Sequence, residues 1–482
     1  MKHLRIRTAD HITYAVPPSL DSITTYVLLE QETWFEKELN FLRHWLKPGM
    51  TAIDIGANLG IYALPMARWV GPTGRIFAYE PGSEARTLLE QSREINGLSN
   101  LDIVEFALSD SEREAQLVWG GSSELNALGN AGKGEAVHVT SLDIEDAKRG
   151  WAGPDFVKID AEGEEERILS GGRKFFSRHS PLVMFEIKSG AGINEKLLSA
   201  FPAMNFRLFR LLPGASILVP LDLGVPLDPF ELNLFAAKED RIKSIEAAGL
   251  LVDSVPDWQP DRHAVAHGFS MLRGQAFAAM FGRGLDDAGS ADPDYANALA
   301  AIAAWRFQDF PARERCGALY FAYRTLAALC NRAPTTARYS TFARLAWEGG
   351  WRGECLVALQ QMAAYIQRVP FHPAELCWPP SPRFDEISAG NDPALWFATA
   401  VAEQLERARG YSTFFAGASA SLTWLCEQPV VSPEMLRRKV LLERRASGHS
   451  LVPVRLQEDQ PDHLNADIWR AGLVADEHVG RP

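Results

Sequence analysis

Short apolar runs alternate with amphipathic segments through the first half of the chain. Each apolar run predicts a strand, and each segment with apolar residues three and four positions apart predicts a helix. The predicted strands are 52–55, 75–79, 101–108, 115–119, 156–159, 181–187, 206–211 and 232–237. The predicted helices are 33–46, 61–69, 83–96, 164–170 and 195–201. This alternation indicates βαβ units and a mostly parallel sheet, and the last two strands, with no helix between them, indicate an antiparallel end.

The pattern changes at both ends of this α/β region. Residues 1–30 contain the β-rich pieces 12–16 and 24–29, so we predict an N-terminal β-rich extension followed by an α/β domain over 31–250. From about residue 260 the segments are rich in alanine, leucine and arginine, which is typical of helices. The predicted helical segments are 295–307, 312–328, 341–365 and 395–409. We therefore predict a helical accessory domain over 260–482, with a hairpin similar to those of tetratricopeptide repeats.

A glycine-bearing turn follows the first of these strands and carries the main chemical signal. The turn reads D-x-G-x-N-x-G, from Asp54 through Gly56 and Asn58 to Gly60. Glycine permits positive φ and a close approach of backbone to a ligand, and the helix that follows offers free N–H groups. The spacing differs from the G-x-G-x-x-G of dinucleotide sites, and Asp54 would repel a pyrophosphate. A cationic ligand without phosphate fits better, which favours S-adenosylmethionine, with S-adenosylhomocysteine as its product.

The next strand also ends in an acid, Glu80. It lies 20 residues beyond Gly60, at the carboxyl end of an apolar run. A carboxylate in that position can accept hydrogen bonds from both ribose hydroxyls of a nucleoside. Asp54 and Glu80 together therefore predict a nucleoside cofactor at the carboxyl edge of the sheet.

A second acidic group follows the strand 156–159. Asp160 and Glu162 precede Gly163, and Glu186 ends the next predicted strand. Because carboxyl ends of parallel strands share one edge, these acids are expected near the reactive end of the cofactor. There Asp160 or Glu186 could accept a proton from an alcohol. Hard cations require several oxygen ligands, and the sequence supplies only two clear candidates here, so we assign no metal.

Composition indicates which classes of partner the protein can bind and which cellular compartment it occupies. The 482 residues carry a formal net charge of −12, which argues against binding to nucleic acid. No apolar run approaches the ~18 residues of a transmembrane helix, and no signal peptide is recognised. The five cysteines form no C-x-x-C pair, which predicts reduced thiols in a cytoplasmic protein.

The joint pattern of these motifs resembles the FkbM family of S-adenosylmethionine-dependent methyltransferases. The resemblance covers about residues 30–240. It rests on these motifs: Pro48-Gly49, D-I-G-A-N-L-G at 54–60, Y-E-P at 79–81, N-G at 96–97, A-L-S-D at 107–110, S-L-D at 141–143 and V-K-I-D-A-E-G at 157–163.

The resemblance implies a class I methyltransferase fold, with a Rossmann-like sheet of seven strands whose last strand is antiparallel. It also implies O-methylation of a sugar, glycan or secondary metabolite. Asp54, Gly56, Asn58 and Gly60 would line the methionine and ribose side of the cofactor, and Glu80 would take the ribose. Ala107 and Leu108 would sit at the adenine, and Asp160 would face the transferred methyl group.

Two other functions compete with this interpretation. One is an NAD-dependent oxidoreductase, which the glycine spacing and Asp54 disfavour. The other is a non-catalytic methyltransferase-like scaffold with a helical interaction domain. In each case we expect the helical domain to serve acceptor recognition, oligomerisation or partner binding. The glycine-rich stretch 120–134 is a candidate lid over the reaction.

Overall fold

A computed structural model of the chain describes residues 3–129, 132–189, 192–285, 292–368 and 375–472. The chain divides into two compact units. The first comprises Met1–Leu211, Leu232–Ala248 and Leu436–Pro482, and the second comprises Leu212–Glu231 and Gly249–Met435. This division differs from the predicted boundaries: the described residues 3–30 and 436–472 lie with the α/β domain, and residues 212–231 lie with the helices.

The first unit contributes seven strands to a central sheet. They are β1 (Thr51–Ile55), β2 (Arg75–Tyr79), β3 (Leu101–Val104), β4 (Phe156–Ile159), β5 (Leu182–Glu186), β6 (Arg207–Leu212) and β7 (Asn233–Ala237). Their order is β3-β2-β1-β4-β5-β7-β6. The first five are parallel, and β7 is antiparallel to both of its neighbours. The inner strands are nearly continuous apolar runs because helices cover such sheets on both faces. The predicted class I methyltransferase fold is confirmed.

Helices and smaller strand groups complete the first unit. The helices are Ile23–Gln31, Glu38–Trp45, Ala63–Val70, Ser83–Asn96, Leu142–Arg149, Glu165–Gly171, Arg173–Arg178, Glu195–Ala203, Glu239–Ala247 and Ala466–Arg470, with 3-10 turns at Ser123–Leu125 and Val454–Leu456. The strand groups are the pair Leu4–Arg7 and Thr13–Val16, the pair Lys188–Ser189 and Gly192–Ile193, and the sheet of Ala107–Leu108, Arg113–Val118, Ala127–Gly129 and Gly134–Thr140.

Two strand predictions are wrong. The segment 24–29, rich in β-branched and aromatic residues, lies in the helix Ile23–Gln31. Ser22 caps this helix, and Ser122 and Glu124 accept the first N–H groups from about 100 positions away, so tertiary contacts override local β propensity. The predicted strand 101–108 is interrupted: β3 ends at Val104, and Ala107–Leu108 pairs instead with Gly134–Thr140.

The end of the chain returns to the N-terminal helix through buried charges. Arg437 Nη1 lies 3.2 Å from Glu32 Oε2, and Arg438 Nη2 lies 3.4 Å from Glu30 Oε1. Glu32 also accepts the backbone N–H of Leu464 at 2.9 Å. All of these carboxylates and guanidinium groups are buried. Residues 436–472 are therefore part of the α/β unit, which the sequence pattern did not indicate.

The second unit is helical. Its helices are Arg262–Arg273, Pro293–Arg306, Ala312–Arg332, Thr336–Gly349, Arg352–Ile366, Pro393–Ala408, Thr413–Ala416 and Ala420–Leu425, with 3-10 turns at Ala278–Leu285 and Pro382–Asp385 and one strand at Ile217–Pro220. The helix Pro433–Ser447 crosses the division between the units. Gly350, at φ 78°, ends Thr336–Gly349 and produces the predicted hairpin with Arg352–Ile366. Burial raises the pKa of the Cys316 thiol to about 12, as expected for a structural cysteine.

Among the described helices, none combines the length and the apolar character needed to cross a bilayer.

Candidate active site

The turn after β1 has the left-handed backbone that its sequence predicts. Gly56, Asn58 and Gly60 have φ values of 77°, 46° and 85°. A Cβ on Gly56 would lie 1.7 Å from the carbonyl oxygen of Asp160, and a Cβ on Gly60 would lie 2.4 Å from a methyl carbon of Leu89. The two glycines thus let the turn pack against the end of β4 and against a helix. This physical cause differs from the ligand approach that the sequence suggested, although both can apply to one turn.

Asp54 is a buried carboxylate at the penultimate position of β1. It is 1% exposed, and neither of its oxygens has a well-formed hydrogen bond with a described residue, although the Ala63 backbone amide acts weakly to lower its pKa. Burial raises the pKa of Asp54 to about 6, although nearby Lys158 acts in the opposite direction. A buried carboxylate without hydrogen bonds is costly, and the Lys158 ammonium, 3.9 Å from Oδ1, compensates it only in part, so the site is suited to a ligand that brings its own cation.

Glu80 holds the turn from the end of β2. Its two carboxylate oxygens accept the backbone N–H groups of Asn58 at 2.8 Å and of Gly82 at 2.7 Å. These hydrogen bonds lower the pKa of Glu80, but burial has the larger effect and raises it to about 7. A carboxylate oxygen can accept more than one hydrogen bond, so Glu80 retains capacity for hydroxyl donors.

These residues fit the expected cofactor. The unpaired oxygens of Asp54 match the ammonium group of S-adenosylmethionine, and the remaining acceptor capacity of Glu80 matches its ribose hydroxyls. Ala107 and Leu108 are buried in the small sheet beside Val139 and Thr140. Their place at the adenine, like the assignment of the other cofactor residues, stays a prediction.

Lys158 organises the acids at the end of β4. Its Nζ lies 2.7 Å from Asp160 Oδ2 and 3.9 Å from Asp54 Oδ1. The side chain of Asp160 is 33% exposed, whereas that of Lys158 is 5% exposed. The structure therefore brings Asp54, Lys158 and Asp160 together, with Asp160 nearest to solvent.

Glu162 and Glu186 stand beside Asp160. One carboxylate oxygen from each of the three residues lies within 4.8 Å of the others. Such a group could hold a cation, because Glu162 adds a third oxygen ligand to the two candidates that the sequence indicated. However, Asp160 already pairs with Lys158. Burial, with Asp160 and Glu162 nearby, raises the pKa of Glu186 well above its ordinary value. Burial, with Asp160 nearby, raises the pKa of Glu162 to about 7. Glu186 is therefore neutral near pH 7 and suited to donating a hydrogen bond rather than to taking a proton.

Glu36 is a further member of this group that sequence reasoning missed. It accepts hydrogen bonds from Tyr62 Oη, from Trp34 Nε1 at 2.9 Å and from Asn233 Nδ2 at 3.0 Å. Burial raises its pKa, against the attraction of Lys158. Its contacts with Tyr62 and with Asn233, at the start of β7, are distant in sequence, so no local pattern indicates its position. We call Glu36, Asp54, Lys158, Asp160, Glu162 and Glu186 the rim cluster.

The described part of the predicted lid is anchored. Ser122 accepts the Ile23 N–H at 3.2 Å, and Glu124 accepts the Thr24 N–H at 2.8 Å. Glu124 also contributes to the raised pKa of Glu162, which indicates that this segment adjoins the rim cluster. Residues 130 and 131 of the predicted lid lie outside the described residues.

Comparisons with known proteins find one matching family model and several similar solved structures. Residues 54–208 match the family model of the methyltransferase FkbM domain. Similar solved structures include an FkbM methyltransferase from Methylobacillus flagellatus KT, at 15% identity and a TM-score of 0.28, covering 39% of this chain and 43% of that one. A SAM-dependent O-methyltransferase from Thermotoga maritima gives 19% identity and a TM-score of 0.26, with 49% and 77% covered. A SAM-dependent methyltransferase from Aquifex aeolicus is 14% identical with a TM-score of 0.26, and the match covers 46% of this chain and 97% of that one.

The chain thus spans less than half the length of the Methylobacillus protein. No curated protein matches it. The matched family model confirms the resemblance that the motifs indicated and leaves the nicotinamide alternative without support. Residues 54–208 thus match an FkbM methyltransferase domain, a domain of the class that uses S-adenosylmethionine.

Proposed function

We propose that the protein is an O-methyltransferase acting on a hydroxyl of a neutral, hydroxyl-rich acceptor such as a sugar, a glycan or a secondary metabolite. The observation that carries the proposal is the position of Asp160. Its carboxylate is partly exposed, its backbone carbonyl lies against Gly56 of the cofactor turn, and its partner is the buried ammonium of Lys158. A proton acceptor thus stands beside the turn that would hold the methyl donor.

Three acids of the rim cluster, together with Glu80, have distinct parts in this proposal. S-adenosylmethionine supplies an activated methyl group when bound. Asp160 accepts the proton of the acceptor hydroxyl, because a neutral alcohol is a poor nucleophile. Glu186, neutral near pH 7, donates a hydrogen bond to Asp160 and fixes its orientation. Asp54 and Glu80 hold the ammonium and the ribose.

The charge of the rim cluster supports a neutral acceptor. The carboxyl groups of Asp160, Glu162 and Glu186 meet at one point, and the described cation among them, Lys158, is buried and already paired. Burial and the charge of Asp160 raise the pKa of both Glu162 and Glu186, so a further negative charge is disfavoured beside Asp160. Carboxylates accept hydrogen bonds from hydroxyl groups but repel phosphate and carboxylate groups. Sugar phosphates and uronic acids are therefore expected to be poor acceptors.

The test is transfer of labelled methyl from S-adenosylmethionine to a panel of neutral sugars and glycosides, with sugar phosphates and uronic acids as comparison. We expect label in neutral acceptors, in a form that survives mild alkali, because ethers resist alkali and methyl esters do not. Asp160→Asn should lower kcat by about 10²–10⁴-fold, the usual contribution of a general base, and leave the Kd of S-adenosylhomocysteine within about threefold.

Glu166→Gln is the matched control, since Glu166 lies on the next helix and pairs with Lys196 at 3.4 Å. It should leave both quantities unchanged. Undiminished transfer by Asp160→Asn would refute the role of Asp160, and alkali-labile label would refute O-methylation of a hydroxyl. Binding of cofactor with no transfer to any member of the panel would favour the non-catalytic scaffold.

A further inference from the structure

Lys158 is a buried cation with functional carboxylates on two sides. Its register partner on β1 is Asp54, and Asp160 follows it by two residues along the chain. Its Nζ contacts Asp160 at 2.7 Å and Asp54 at 3.9 Å, and it lies 5.1 Å from the centroid of the Tyr62 ring. One ammonium group therefore joins the carboxylate that faces the proposed cofactor to the carboxylate that faces the proposed acceptor.

This cation is a fixed charge. Burial opposes it, but Asp160, Asp54 and Glu36 together raise the pKa of Lys158 above its ordinary value. A buried ammonium without such partners would lose its proton, because desolvation disfavours the charged form. Lys158 is therefore not a proton donor near neutral pH. Its effect is electrostatic and depends on how its attraction divides between Asp54 and Asp160.

We propose that Lys158 is a positioning residue that couples Asp54 to Asp160. Through Lys158, the charge of Asp160, which faces the acceptor, sets how strongly Asp54 binds the ammonium group of the cofactor. The inference rests on the cofactor placement proposed above. A lysine that was buried on β4 for structural reasons alone would have no effect on cofactor affinity, whereas this proposal gives Lys158 such an effect.

The groups around Asp54 give the coupling its sign. Burial raises the pKa of Asp54 to about 6; Lys158 and the Ala63 backbone amide lower it, and Asp160 and Glu36 raise it. The carboxylate form binds the ammonium, so affinity is present above about pH 6 and is lost as the pH falls through this value. Loss of Lys158 should raise this inflection, and loss of the charge on Asp160 should lower it.

The pH dependence that Glu80 causes must be distinguished from that of Asp54, because burial raises the pKa of Glu80 to about 7 and Glu80 faces the proposed ribose site. Two probes achieve this. S-adenosylhomocysteine carries both the ribose and the amino-acid ammonium, whereas 5′-methylthioadenosine carries the ribose without the ammonium. A shift that belongs to Asp54 appears with the first probe and not with the second.

The experiment is calorimetric titration of the full-length protein with each probe between pH 5 and pH 9. For Lys158→Met we expect the inflection for S-adenosylhomocysteine to rise by about one pH unit or more, which weakens binding by about fivefold or more at pH 6. The curve for 5′-methylthioadenosine should stay in place. Lys158→Arg keeps the charge and should stay close to the wild-type curve.

Asp160→Asn gives an independent test that does not rely on a buried lysine substitution. It should move the inflection for S-adenosylhomocysteine to lower pH, opposite to Lys158→Met. Unmoved curves for S-adenosylhomocysteine in these variants, or equal shifts for both probes, would overturn the coupling. If S-adenosylhomocysteine binds wild type and Asp54→Asn equally well, the cofactor placement itself fails, and the coupling fails with it.

Discussion

The rim cluster of the first unit and the helical second unit both bury charged side chains, but they pair them differently. In the helical unit, Glu348 accepts hydrogen bonds from Trp305 Nε1 at 3.0 Å, Arg306 Nη2 at 2.5 Å and Arg344 Nε at 2.7 Å. Although burial opposes it, Arg306 and Arg344 lower the pKa of Glu348 to about 2. This carboxylate is fully satisfied by the protein.

The rim cluster shows the reverse. Five carboxylates share one described cation, Lys158, and the Asp54 oxygens have no hydrogen-bond partner in the part of the chain that the structure describes. Burial raises the pKa of Asp54 to about 6 and of Glu162 to about 7. Buried charges with complete pairing stabilise one conformation, whereas incompletely paired groups with raised pKa values in a cleft are typical of sites that await a ligand. The direction of the pKa shift thus distinguishes Glu348 from the acids of the rim cluster.

The largest effect that follows concerns Glu348. Glu348→Gln leaves Arg306 and Arg344 without their shared carboxylate, and removal of one partner from a buried ion pair costs about 3–5 kcal/mol in free energy of unfolding. Denaturant unfolding at pH 7 measures this loss. Affinity for S-adenosylhomocysteine, measured where the variant is folded, should not change. A loss below about 1 kcal/mol, the range of exposed pairs, would show that the pairing is not structural.

Two controls sharpen this prediction. Glu354→Gln removes an exposed glutamate of the same unit, which accepts from Tyr323 Oη at 2.7 Å, and should change stability by about 0.5 kcal/mol or less. The pH dependence supplies the second control. Because the folded pKa of Glu348 lies below its unfolded value, its contribution is present above about pH 4.5 and is lost as the pH falls towards 2. The difference between wild type and Glu348→Gln should therefore shrink over that window.

Asp54→Asn should have the opposite signature. It removes a buried carboxylate that the protein does not satisfy, so the free energy of unfolding at pH 7 should stay equal or rise by about 1–2 kcal/mol. Because the folded pKa of Asp54 is raised, any gain should vanish as the pH falls below about 4. Affinity for S-adenosylhomocysteine should fall by about 100-fold, since a charge-assisted hydrogen bond is lost. Calorimetry and thermal unfolding measure the two effects.

The control for this variant lies in the same sheet, on β3, two strands away from Asp54. Asp102→Asn removes a carboxylate that pairs with Arg75 at 2.7 Å on the surface, and it should affect neither quantity by more than about 1 kcal/mol. A loss of stability in Asp54→Asn comparable with that of Glu348→Gln would contradict the distinction between the two regions.

The sequence predicted the part of this comparison that depends on local pattern. The bounds of β2 and β4 and of the helix Ser83–Asn96 agree with the predictions, because apolar runs end there at an acid or at Gly97. Asp54, Asp160 and Glu186 were found because carboxyl ends of parallel strands converge at one edge. The glycine turn was found because its left-handed backbone requires glycine or asparagine.

What the sequence could not predict depends on distant contacts. Glu36 joins the rim cluster only through Tyr62 and Asn233, and a lone glutamate before a helix carries no signal of that. The helix Ile23–Gln31 depends on Glu124 for its N-terminal hydrogen bonds. The buried pairs of Arg437 and Arg438 link residues about 400 positions apart. Glu348 resembled any helical glutamate in sequence, because Arg344 stands four residues before it, as in many exposed helical pairs, and no local pattern shows that Arg306 joins them.

The smallest effect tests whether geometry as well as charge matters in the helical unit. Arg383 holds the fully buried Glu403 with two hydrogen bonds, from Nε at 2.9 Å and from Nη2 at 2.8 Å, and Arg407 supplies a third at 2.8 Å. Arg383→Lys keeps the charge but cannot reproduce the planar two-point contact, so we expect a loss of about 1 kcal/mol in free energy of unfolding. Arg313→Lys, at an exposed position of the same unit, should lose nothing measurable by the same denaturant titration. If Arg383→Lys were as stable as wild type, net charge alone would explain the pairing. The helical unit and the rim cluster would then differ only in the number of cations available to each carboxylate, not in the geometry of the contacts.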